Sequence, residues 1–129
     1  MKRILLIEDD YDLSKSILLG IDVLDISGLQ NEVCYEGSGA LERVKSSPAP
    51  DLIILDMHLP NMAGQDIYEV ARQEIPGCKI IIITADMALA REIRNRQADW
   101  ERLPAPEQVF TKPFSLIEFL ESAKAILTA

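Results

Sequence analysis

The stretch Asp51-Leu52-Ile53-Ile54-Leu55-Asp56-Met57-His58-Leu59-Pro60 decides the fold. Its apolar run at 52–55 is continuous, built of Ile and Leu, and shows no polar alternation. A short strand of that kind must be covered on both faces, as in a parallel sheet. Working outward, the same signature recurs at 4–7 (Ile-Leu-Leu-Ile) and at 80–83 (Ile-Ile-Ile-Ile), with weaker strand candidates at 32–35 and 108–111. Helical patterns lie between them. Leu13, Ile17, Ile21 and Leu24 recur at helical spacing, as do Leu116, Leu120, Ala123 and Leu127. Ser115, followed three residues on by Glu118, reads as a capping box opening the last helix. Pro76-Gly77 closes the third helix, and a fourth is placed at 89–96. Strand and helix alternating in this way predict an α/β fold, doubly wound around a central five-stranded parallel sheet. One connection is long for such a unit: residues 98–106, which hold Trp100, Pro104 and Pro106.

The 129 residues suit a single domain spanning 1–129. With 48% hydrophobic and 26% charged residues, the chain has enough apolar material for one core and is neither disordered nor a membrane protein. Thirteen Lys+Arg against 21 Asp+Glu give a net charge of −8. That argues against binding nucleic acid or anionic membrane, since both polyanions require basic patches. Cys34 and Cys78 are too few for a disulfide scaffold and read as small buried hydrophobes. The apolar run after Met1-Lys2-Arg3 stops at Glu8, short of the roughly 7–15 residues of a signal-peptide core. No apolar stretch approaches the ~20 residues of a membrane span. The expectation is a soluble, cytoplasmic protein.

In open α/β sheets, ligands bind outside the carboxyl ends of the strands. Here those ends carry Glu8-Asp9-Asp10, Asp56, Thr84 and Lys112. Taken singly, each has a bland reading: Asp9 or Asp10 as a helix cap, Asp56 as a turn residue, Thr84 as a strand residue, Lys112 as a surface charge. Composition alone does not put these types at the same end of four strands. Clustered carboxylates repel and raise one another's pKa, and a hard divalent ion such as Mg²⁺ relieves that repulsion through oxygen ligands. A carboxylate oxygen then left free can attack phosphorus, with the Lys112 ammonium and the Thr84 hydroxyl placed to neutralise the phosphoryl oxygens.

The segments Ile4-Leu5-Leu6-Ile7-Glu8-Asp9-Asp10, Asp51 through Gly64, Ile80-Ile81-Ile82-Ile83-Thr84-Ala85 and Phe110-Thr111-Lys112-Pro113-Phe114 resemble the receiver domain of two-component response regulators. The resemblance covers essentially the whole chain and implies a flavodoxin-like (βα)5 sandwich. It implies that Asp56 accepts a phosphoryl group from a histidine kinase or a histidine phosphotransfer protein. Asp9 would then ligate Mg²⁺ directly, together with Asp56 and the backbone carbonyl of His58, while Glu8 acts largely through water. Thr84 becomes the switch hydroxyl and Lys112 the partner of a phosphoryl oxygen. The Lys112–Pro113 bond is expected to be cis, unlike most X–Pro bonds. The side chains of His58 and Asp86 are expected to modulate hydrolysis of the acyl phosphate. Self-phosphorylation and slow self-dephosphorylation would be the only chemistry, not conventional enzyme turnover.

Two departures from the family pattern stand out. The switch aromatic usually found three residues before the lysine falls on Val109, and Phe110 is out of register for the role, because neighbouring strand residues face opposite sides. The 98–106 connection replaces a short turn and reads first as a tolerated loop insertion; the sharper reading makes Trp100 an anchor for a partner or for self-association into a homodimer, against a ring that simply folds back onto the core. Rival functions are a Mg²⁺-dependent phosphatase with an aspartyl nucleophile, a flavodoxin-like cofactor binder, and a pseudo-receiver acting only through protein contacts. The phosphatase needs a second acid where His58 stands, and the cofactor binder needs a Ser/Thr/Gly-rich phosphate loop where Glu8-Asp9-Asp10 stands. The intact Asp9, Asp56, Thr84 and Lys112 set argues against the pseudo-receiver. No output domain is read in the chain, and its target is expected to be a separate effector or an output domain of a larger protein.

Overall fold

Runs of Ile and Leu make the central strands because both of their faces are to be buried. In the computed structural model, which describes residues 2–129, the chain begins β1 (Arg3–Ile7), α1 (Tyr11–Val23), β2 (Gln30–Cys34), α2 (Gly37–Val44) and β3 (Leu52–Asp56). A small hairpin follows, β4 (His58–Leu59) and β5 (Met62–Ala63). Then come α3 (Gly64–Glu74), β6 (Lys79–Thr84), α4 (Met87–Arg94), a 3₁₀ turn (Ala98–Glu101), β7 (Gln108–Thr111) and α5 (Leu116–Leu127). The five long strands form one parallel sheet in the order β2-β1-β3-β6-β7. This is the doubly wound order of flavodoxin-like folds, whose switch point lies between β1 and β3.

Alternate residues feed two separate cores. Leu5, Ile7, Ile53, Leu55, Ile80 and Ile82 pack with Ala40 and Val44 of α2, Ile67, Tyr68 and Ala71 of α3, and Ile93 of α4. Ile4, Leu6, Leu52, Ile54, Ile81 and Ile83 pack with Ile17 and Ile21 of α1 and Phe119 and Ala123 of α5. All of these side chains are buried, and each large one contributes about 1.5–3 kcal/mol. The same alternation sends Val109 to the α3–α4 side and Phe110 to the α1–α5 side, where it packs on Phe114 and Phe119.

Local chemistry sets the helix starts. Asp10, Asp86 and Ser115 cap α1, α4 and α5, accepting hydrogen bonds from the N–H groups of Leu13, Leu89 and Glu118. The cap at Asp86 starts α4 two residues before the expected 89, and it ends at Arg94, short of the expected 96, because Arg96 has a left-handed φ of 57°. Leu24 caps the end of α1. Strand β2 begins at Gln30, earlier than the expected 32, since an edge strand keeps polar residues and pairs only with β1. The hairpin after Asp56, turning through Asn61 at φ 65°, has no counterpart in the sequence expectations.

Of the readings of Trp100, the anchor is not what the structure shows: the ring folds back onto the core. Its side chain is only 2% exposed and packs edge-on against Tyr68, with ring centroids 4.9 Å apart. The indole is drawn into the α3–α4 core because burying so large an apolar ring outweighs leaving it in water. It presents no surface to a partner. The 98–106 connection is instead sewn down: Arg96 donates to the carbonyls of Trp100 and Leu103, Tyr68 to that of Pro104, and Arg72 to that of Ala105.

Candidate functional site

Each site residue stands at or just past the carboxyl end of its strand. Parallel pairing puts Asp56 opposite Ile83 and Thr84 opposite Thr111, so the ends of β3, β6 and β7 meet on one rim with the end of β1. The loop ends are fixed by main-chain bonds from Glu8 N–H to Cys34 O, from Met57 N–H to Ile83 O and from Lys112 N–H to Thr84 O. Gly64 completes the floor. A Cβ there would lie 2.5 Å from the Met57 Cα and 2.8 Å from the Asp56 carbonyl oxygen, so only glycine lets α3 start this close to the site. Its signal in the sequence was its place at the end of the Asp51–Gly64 motif, but its role needed the structure.

The rim carries more negative charge than it can neutralise. Glu8, Asp56 and Thr84 are buried, while Asp9 and Asp10 are exposed. Lys112 Nζ lies 2.6 Å from Glu8 Oε1 and 3.3 Å from Asp56 Oδ2, one ammonium between two carboxylates. The other Asp56 oxygen, Oδ1, accepts from the His58 N–H at 3.0 Å. Burial first, then the neighbouring Asp56, pushes Glu8 up to about 8 against the opposing pull of Lys112. Burial works to lower the Lys112 pKa, but its bonds and charge contacts with Glu8 and Asp56 prevail and raise it.

One atom stands apart. Glu8 Oε1 is buried and makes no aligned hydrogen bond, since the Lys112 ammonium touches it off the hydrogen-bond direction. Burying two carboxylates that share one ammonium is costly. Oxygens of Glu8, Asp9 and Asp56 lie within 4.8 Å of one another, so the three carboxylates can hold a metal ion. An all-oxygen set of this kind fits a hard divalent cation, which would add positive charge where a single ammonium now serves both Glu8 and Asp56.

The structure brings together Glu8, Asp9, Asp56 and Lys112, with Thr84 buried at the end of the neighbouring strand. His58 follows Asp56 with its side chain exposed. The Asp86 carboxylate is turned into the first turn of α4, where its Oδ1 accepts from the Leu89 N–H at 3.0 Å. Its own N–H donates to the Thr84 hydroxyl at 3.0 Å. Val109 is half-buried, and its carbonyl accepts from Arg94 Nη2 at 2.7 Å. The Lys112–Pro113 bond is cis. Among the described residues no helix is long and apolar enough to cross a membrane.

A family model described as the response regulator receiver domain matches residues 4–124. The chain belongs to that family. The receiver is 31% identical to the response regulator receiver protein CpdR of Brucella abortus (strain 2308), covering 100% of this chain and 99% of that protein. It is 33% identical to the transcriptional regulatory protein QseB of Escherichia coli O157:H7, over 97% of this chain and 52% of that protein. The receiver thus spans about half the length of several curated relatives that it matches. Among solved structures it is similar to the response regulator protein TrrA from Thermotoga maritima in complex with Mg(2+)-BeF. That likeness has 26% identity and a TM-score of 0.71, covering 98% of this chain and 99% of that one.

Proposed function

We propose that this receiver accepts a phosphoryl group on Asp56 from a histidine kinase or a histidine phosphotransfer protein, and in that state controls an effector protein or an output domain. The observation that carries the reading is the setting of Asp56: a buried carboxylate held by Lys112 and the His58 N–H, within a three-carboxylate cluster served by that one ammonium. The site fits Mg²⁺ held by Asp9, Asp56 and the His58 carbonyl, with Glu8 behind them, and the TrrA complex with Mg(2+)-BeF supports that choice. When bound, Mg²⁺ supplies the positive charge that offsets the clustered carboxylates and the incoming phosphoryl oxygens.

Asp56 then attacks phosphorus through one carboxylate oxygen. A P–O bond forms as the donor's P–N bond breaks, its electron pair passing to the imidazole nitrogen, which is protonated from solvent. Lys112 exchanges its contact with Asp56 Oδ2 for a phosphoryl oxygen, and Thr84 offers its hydroxyl to another. Hydrolysis returns the Asp56 carboxylate and inorganic phosphate. Asp86 and His58 flank this chemistry, and Val109 is the position at which the β7–α4 side would meet a partner.

The test uses acetyl phosphate as donor with Mg²⁺. Wild type is expected to gain the mass of one phosphoryl group in a base-labile adduct, and Asp56→Ala to gain none. An adduct of equal yield on Asp56→Ala, or none on wild type, would overturn the proposal.

A further inference from the structure

We propose that the outer face of α1 docks against the same face of a second copy of this chain. Leu19 lies beside the two-fold axis of that pair, and Lys15 of each copy faces Asp22 of the other. The inference stands apart from the reading of Asp56, since none of the carboxylates, Thr84 or Lys112 takes part in it.

Helix α1 turns Ser14, Ile17 and Ile21 into the core. On its opposite side Tyr11, Lys15, Leu19 and Val23 stand four apart and form one continuous row. Leu19 is 62% exposed and Val23 83% exposed, and Tyr35 lies beside the exposed Tyr11 with ring centroids 6.0 Å apart. Four of the six large apolar side chains left exposed among the described residues are therefore on or beside this row. Lys15 does not break it. Its ammonium lies 5.4 Å from the Tyr11 ring centre, so its apolar stem runs along the row. Nor does α5 cover it, because that helix packs on the flank of α1, where a Cβ on Gly20 would lie 2.6 Å from Leu120 Cδ1. Single exposed apolar residues need no explanation, whereas a contiguous row of them marks an interaction surface.

Charge decides what covers the row. Helix α1 carries three charged side chains, Asp12, Lys15 and Asp22. Among the described residues neither Lys15 nor Asp22 is in an ion pair. Asp22 accepts one long hydrogen bond, from Asn31 Nδ2 at 3.4 Å. The two charges stand equally far from the midpoint between Leu18 and Leu19. A two-fold axis through that midpoint, with the helices antiparallel, sets each Lys15 against the other copy's Asp22. Rows of residues four apart interlock at a crossing of about −50°. Such a crossing closes the contact at Leu19 and carries the helix ends apart, so the like charges Asp12 and Asp25 do not meet. A different protein would have to bring both signs at this spacing; a second copy supplies them by symmetry. The contact is one helix pair wide, so a weak dimer is expected.

Sedimentation equilibrium on the full chain between about 5 and 500 µM covers the strength expected of such a contact. Wild type is expected to pass from one chain to two across that range. Leu19→Glu is expected to weaken association at least roughly tenfold. Lys15→Asp and Asp22→Lys are each expected to weaken it about three- to tenfold, because each sets like charges together. The variant carrying both exchanges is expected to return to within about twofold of wild type. Met87→Glu, at an equally exposed apolar position on α4, should stay within about twofold as well. Circular dichroism checks that each variant is folded. Wild type that remains a single chain throughout would overturn the proposal and leave the row to a different partner. A dimer indifferent to Leu19→Glu, or one that the Lys15 and Asp22 exchange does not restore, would overturn it too. No phosphodonor enters the experiment, so its failure leaves the acceptor reading of Asp56 standing.

Discussion

The two rims of the sheet each carry a polar cluster built around one cation, and they are finished in opposite ways. At the amino ends of β6 and β7, Arg72 donates to the Cys78 and Ala105 carbonyls and to the Tyr68 hydroxyl, and its guanidinium lies 5.0 Å from the Tyr68 ring centre. Glu107, 3.6 Å from Arg72, accepts from the Ile80 N–H. Every group there has a partner within the chain. At the carboxyl ends, Lys112 sits between two buried carboxylates and leaves Glu8 Oε1 without a hydrogen bond. The closed cluster holds structure together. The open one is tolerated at a cost, and its deficit of positive charge matches what a divalent ion brings.

Breaking the closed rim should give the largest effect. Trp100→Ala removes the ring that seals Tyr68 and the 98–106 connection, and is expected to cost about 3–5 kcal/mol of stability by urea denaturation followed by circular dichroism. Mg²⁺ affinity, measured by calorimetry below the unfolding midpoint, should be unchanged. A parallel loss of affinity would mean that the rims are coupled.

The open rim should answer to pH in the metal-free protein. The unfolded chain ionises Glu8 near its ordinary 4.5, while the folded protein keeps that proton until about 8. Between those values the folded state binds more protons, so the stability contribution falls as pH rises and levels off above about 8. Glu8→Gln is expected to abolish that slope and, at pH 8.5 in EDTA, to be more stable than wild type by on the order of 1–3 kcal/mol. The same change should weaken Mg²⁺ binding. A Gln variant that is less stable than wild type in EDTA at that pH would mean that Glu8 is satisfied after all.

The smallest effect belongs to the outer stitching of the 98–106 connection. Arg102 pairs with Glu69 at 2.9 Å, but its side chain is 61% exposed. Arg102→Ala should therefore change the urea midpoint by less than the equivalent of about 0.5 kcal/mol. A larger shift would mean that the stitching helps to hold Trp100 in place.

Much of the fold was legible because a parallel sheet demands the same residues on both faces of each central strand, and the runs at 52–55 and 80–83 meet that demand without ambiguity. The site was legible for a related reason: strand ends are short-range features, so Glu8, Asp56, Thr84 and Lys112 could be placed without knowing any side-chain contact. The polar edge strand β2 blurred by two residues because pairing on one side leaves little apolar pattern. The direction of Trp100 was not legible, since it depends on Tyr68, which lies on a different helix. The Tyr68–Arg72–Glu107 cluster escaped for the same reason, although Tyr68 and Arg72 stand four apart on one helix face. The dual engagement of Asp86 joined two bonds that a sequence shows only as a plausible cap.

The buried indole also determines how this receiver can be observed. Trp100 is the sole tryptophan, and it is buried edge-on against Tyr68 beneath the 98–106 connection. Its emission is therefore a reporter of global unfolding, with a red shift as Tyr68 and the 98–106 connection separate. A tryptophan introduced in place of the exposed Met87, on the first turn of α4, would add an optical signal close to the strand end that carries Thr84.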